Sequence, residues 1–78
     1  MQNSESLKCR LLANIRDRER YIELYNENGH VIMFDLIAEC REEGLVDGVF
    51  NYASDFITPV DVKLTKKGML FLKMCVTQ

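Results

Sequence analysis

The sequence predicts an α+β fold in which helices precede an antiparallel hairpin and a last helix closes the chain. Three observations predict it. An amphipathic pattern over His30–Glu43 stops at Gly44, where a left-handed residue would end a helix. Two β-forming stretches, Leu45–Tyr52 and Val60–Leu64, flank a loop at Ala53–Pro59 that is too short for a parallel crossover. Thr65 then stands where an N-cap is wanted, with an apolar helical stretch behind it. Helix, strand, loop, strand and capped helix form the back half of a winged helix-turn-helix domain, with the hairpin as its wing and a sheet of two or three strands.

The first helix is predicted from Ser4 to about Arg18. Ser4 can cap it and Glu5 suits its first turn, while Leu7, Leu11 and Ile15 recur at helical spacing with Leu12 and Ala13 beside them. Lys8, Arg10, Arg16 and Asp17 fall mostly beside or opposite this stripe and read as a solvated face with local ion pairs. Arg20–Tyr25 has β-formers in partial alternation, so a short strand or the end of a helix fits there. Asn26–Gly29 is turn chemistry.

In the helix at His30–Glu43, Met33, Leu36, Ile37 and Cys40 share the core face, and Asp35, Ala38, Glu39 and Glu42 share the opposite one. Within the first strand, Gly48 marks a bulge or bend. Pro59 suits the start of a strand, after which Val60, Val62 and Leu64 point inward against Asp61 and Lys63. The last helix runs from Lys66 to about Cys75. Gly68 in its first turn costs about 1 kcal/mol against alanine, which close packing on the neighbouring strand would explain. Phe71, Leu72 and Cys75 face the core with Gly68, leaving Met69, Leu70 and Met74 outside as an apolar strip suited to a partner.

Seventy-eight residues make one domain over 1–78. Such a chain buries only about 60–65% of its extended-chain surface, so self-association or a partner would add stability. No apolar run is long enough to span a bilayer, and Met1–Glu5 lacks the basic start of a signal peptide, so a cytoplasmic protein without membrane contact is expected. Cys9, Cys40 and Cys75 are odd in number and widely spaced, and are expected to be reduced, mostly buried thiols. With one histidine, His30, and no close cysteine pair, a zinc site is rejected. No nucleophile with its base, separated carboxylate pair or glycine-rich phosphate loop stands out, so neither enzyme activity nor a cofactor or small-molecule ligand is expected.

The net charge is −2, unevenly spread. Residues 1–20 carry five basic groups against three acids, residues 21–61 carry nine acids against Arg41, and residues 62–78 carry four lysines and no acid. A nucleic-acid contact, if present, would use Arg16, Arg18, Arg20, Lys66 and Lys67, the last two where a helix N-terminus adds attraction for phosphate.

Leu36–Gly48, with Cys40, Gly44 and Leu45 as its spine, and Leu64-Thr65-Lys66-Lys67-Gly68-Met69-Leu70-Phe71-Leu72 resemble two segments of small, often phage-encoded winged-helix proteins, the YjcQ-like domains among them. The resemblance covers roughly residues 30–75 and implies a helix-turn-helix with a β-hairpin wing. In DNA-binding members of such folds, the helix at 30–43 would enter the major groove and the loop at 53–59 would touch phosphates. This chain departs from that pattern: Asp35, Glu39 and Glu42 lie on the reading face, and the loop holds Asp55 and no basic residue. The expected function is therefore a phage- or prophage-type regulatory interaction module. It would act through protein contacts or homodimerisation, using Leu70, Met74, Met69 and Phe34 as apolar interface and Asp35, Glu39 and Glu42 as an acidic partner face. Phe56 and Ile57 of the wing would add apolar surface. The alternative is a DNA-binding regulator that docks through the basic chain ends.

Overall fold

In the computed structural model, described over residues 4–76 with side chains over 7–75, six elements follow in order. They are α1 (Ser4–Asp17), α2 (Tyr21–Asn28), α3 (His30–Glu42), β1 (Val46–Tyr52), β2 (Ile57–Leu64) and α4 (Lys66–Val76). The strands form one antiparallel hairpin, so the arrangement is α+β and winged-helix-like. The side chains of Ser4 and Glu5, expected to open α1, lie outside those described.

The junction of α3, β1, β2 and α4 follows from its residue types. Gly44 has φ 75°, and the N–H groups of Gly44 and Leu45 donate to the carbonyls of Arg41 and Cys40 at 3.1 and 2.9 Å. These two bonds are a Schellman motif, which needs a left-handed residue where glycine stands. Thr65 caps α4 by accepting the Gly68 N–H on its hydroxyl at 3.0 Å, and that hydroxyl donates to the Gly44 carbonyl. The Thr65 N–H donates to Leu45 O at 3.0 Å. Gly68 explains itself here: a Cβ on it would lie 2.9 Å from the Leu45 carbonyl carbon and closer still to the oxygen. The expected close approach of α4 to the strand is observed, at the residue just before β1.

Residues 21–28 are helical, so the sheet has two strands and the third allowed by the sequence is not formed. Packing decides this. Helical spacing puts Tyr21, Leu24 and Tyr25 together in the core, 9%, 0% and 3% exposed, whereas strand alternation would have buried Glu23 with the tyrosines. Gly29, at φ 88°, is the whole joint between α2 and α3.

The wing also differs from expectation. Ile57 already belongs to β2 and is fully buried, and Phe56 packs on Tyr25 with ring centroids 4.2 Å apart. Both therefore serve the core rather than an exposed wing tip. Pro59 lies within β2, where the register jumps from Val49↔Asp61 to Phe50↔Pro59. The extra residue, Val60, is turned outward and 64% exposed, against the inward position that alternation predicted. Gly48, at φ 122°, sits just before this jump and has no room for a side chain against Asp61.

Cys9 and Cys75 form a disulfide across 66 positions, Cα atoms 6.0 Å apart, tying α1 to α4. This corrects the expectation of three reduced thiols. Their spacing carried no signal because the two helices meet only through the fold. Cys40 is free and buried, as expected.

Candidate functional site

The outward face of α3 and the adjoining edge of β1 carry one candidate surface. Met33, Leu36, Ile37 and Cys40 point into the core, which leaves Val31 and Phe34 outside at 74% and 46% exposed. Asp35, Ala38 and Glu42 are exposed beside them. Phe34 meets Tyr52 edge to face at 6.0 Å, and Arg41 donates to the Tyr52 hydroxyl at 3.4 Å while its guanidinium lies 5.9 Å from the Phe50 ring. Behind Phe34, His30 accepts or donates a hydrogen bond through Nδ1 with the Tyr25 hydroxyl. The aromatic surface is thus anchored to the core through Tyr25.

Glu39 lies at the margin of this surface, partly exposed and also engaged from the core side. It pairs with Lys8 at 3.0 Å, and Glu43 accepts two further bonds from the same ammonium at 3.0 and 3.1 Å. Lys8 is only 8% exposed and lies 6.0 Å from the Phe71 ring centroid. Burial disfavours its charge, but the bonds to Glu43 and Glu39 outweigh that and hold its pKa above the ordinary lysine range. This structural ion-pair cluster was missed as a unit. The signal existed: Lys8 precedes Leu12 by four and Ile15 by seven, which puts it on the apolar stripe. Cys40 beside the cluster has its thiol pKa pushed up to about 12 by burial, so it remains a protonated core group rather than a nucleophile.

A second apolar surface lies on α4. Met69, Leu70 and Met74 are 52%, 58% and 69% exposed, while Leu72 and Gly68 face inward. The structure places these three as the sequence predicted. Lys66 and Lys67 are exposed at the start of the same helix.

The third feature is the turn from α1 to α2. Arg18 and Arg20 take left-handed φ values of 58° and 66°. That region costs a side-chain-bearing residue about 1–2 kcal/mol, and glycine nothing comparable. Both arginines line a groove of about 560 Å³ between this turn and β2, with Ile15, Tyr21 and Ile22 on one wall and Pro59–Val62 on the other. Arg16 instead forks onto its neighbour Asp17 at 2.8 and 3.1 Å, which holds the Asp17 carboxyl below its usual range. Arg10 pairs with Glu27 at 2.9 Å. The basic candidates therefore occupy separate places: Arg18 and Arg20 at the groove, Lys66 and Lys67 beside the Gly44–Leu45 junction, and Arg16 in a local pair.

Among the described residues, no three His, Cys, Asp or Glu side chains gather as a metal centre requires, and no helix is long and apolar enough to cross a membrane. Comparison with protein-family models, curated proteins and solved structures finds no match for this chain.

Proposed function

We propose that this chain is a non-enzymatic winged-helix interaction module, a regulatory protein of the phage or prophage type that the resemblance to YjcQ-like domains implies. One observation carries the reading. The outward face of α3, the position from which a winged helix reads DNA, presents Val31, Phe34, Asp35 and Glu42, with Tyr52 of the wing closing one side. An apolar centre with acidic neighbours repels phosphate and suits a protein partner. Met69, Leu70 and Met74 offer a separate surface for a second copy of the chain.

The alternative, DNA binding through the chain ends, is favoured by the exposed Lys66 and Lys67 at the start of α4. The Cys9–Cys75 disulfide weighs against the cytoplasmic location expected from the sequence, since such bonds are rare in the cytosol.

Light scattering separates the two readings. The interaction module should run as a dimer that ignores a random DNA duplex at low salt, and Leu70→Glu should give a folded monomer. A salt-sensitive DNA complex, lost in the Lys66→Glu, Lys67→Glu variant, would replace this reading with the DNA-binding one.

A further inference from the structure

The groove beside the α1–α2 turn has a shape and a chemistry of its own. Four consecutive residues of β2, Pro59 to Val62, line it, and no residue of β1 does. A cavity over a sheet face would meet alternate residues, so this one follows the outer edge of β2. That edge is closed to an added strand. The Tyr21 hydroxyl donates to the Ile57 carbonyl, Pro59 has no N–H to offer, and the bulge at Val60 breaks the register. A peptide backbone is therefore a poor occupant. At about 560 Å³ the groove has the size of a small-molecule site.

The two arginines indicate what such a molecule carries. Where glycine would relieve the backbone, the chain places Arg18 and Arg20, and both residues line the groove. Among the described residues neither makes an ion pair, in contrast to Arg10 and Arg16. A left-handed arginine that makes no ion pair among the described residues is available to a bound partner. Ile22 and Val60, 61% and 64% exposed, supply apolar surface on its two walls. Glu19, Glu23 and Asp61 share the lining and oppose any anion, a doubly charged head more strongly than a single carboxylate.

We propose that this groove binds an amphipathic monocarboxylate, its head held by Arg18 and Arg20 and its apolar body along Ile22, Pro59 and Val60. The test is a ¹⁵N–¹H NMR titration of the whole chain with decanoate, with 1-decanol, acetate and decyl phosphate as comparators. Decanoate should give saturable shifts at residues 18–23 and 60–62. Loss of the charge-assisted bonds should weaken 1-decanol by about tenfold or more, and acetate and decyl phosphate should also bind more weakly. The R18G/R20G variant should melt higher and bind decanoate about tenfold more weakly. R18Q/R20Q, which keeps the strained backbone and removes the charge, should lose the same affinity without the rise in Tm. Absence of saturation would overturn the proposal. So would shifts confined to the α4 strip, equal binding of 1-decanol, or unchanged affinity in either variant. A lower Tm for R18G/R20G would show that the arginines hold the turn, and would overturn it equally.

Discussion

Two turns of this chain handle left-handed backbone in opposite ways. At the α3–β1 junction the residue with φ 75° is Gly44, and the neighbouring Thr65 and Gly68 are equally suited to the cap and the close contact they make. At the α1–α2 turn the residues with φ 58° and 66° are arginines. The first turn is built from residues that the backbone prefers. The second accepts a conformational cost at two arginines that line a groove. Agreement between local preference and fold marks a structural joint, and disagreement marks a place where the side chain matters more than the backbone.

Three experiments would break or sharpen this contrast. The largest effect is expected from the disulfide, which lies outside both turns. Closing a loop of 66 positions is worth about 4 kcal/mol in chain entropy, so reduction should lower denaturant stability by about that amount. The junction amides of Gly44, Leu45 and Thr65 should still be the slowest to exchange in the reduced protein. If they exchange as fast as the ends of the helices, the junction is held by the cross-link and not by its own residues.

Gly68→Val comes next. Its side chain would collide with the Leu45 carbonyl, and a loss of about 3 kcal/mol or more is expected in urea unfolding. A neutral result would mean that α4 does not approach the strand this closely.

The smallest effect is the most direct comparison. Gly44→Ala should destabilise by about 1 kcal/mol, whereas Arg20→Gly should stabilise by up to a similar amount, at positions with nearly the same φ. Thermal melts giving the same sign for both would remove the distinction between the two turns.

The residues explain why some of this was legible. Gly44 and Thr65 act through local backbone geometry, and Gly68 is a local helix cost that only close packing explains, so their roles could be read from type and position. Met69, Leu70 and Met74 were placed outside by helical periodicity, and the structure agrees. Phe34 was placed correctly on the surface, but its contact with Tyr52 depends on where the hairpin lies. The groove was not legible, because its walls are some forty residues apart in the chain and neither wall is a motif.

By itself, then, the sequence determined the helix stop at Gly44, the antiparallel hairpin, the Thr65 cap and the close approach at Gly68. Each is marked by a residue type with a local backbone role, although Gly68 meets Leu45 from across the hairpin. Tertiary structure alone decided four other matters. Burial of Tyr21, Leu24 and Tyr25 made residues 21–28 a helix rather than a strand. The meeting of α1 with α4 joined Cys9 to Cys75. Lys8, buried on α1, pairs with Glu39 and Glu43 at the end of α3. The bulge at Val60 turned that side chain outward, in a stretch of β2 that lines the groove with Arg18 and Arg20. Each depends on which groups the fold brings together, even at Tyr21, Tyr25 and Lys8, where helical spacing was already present in the sequence.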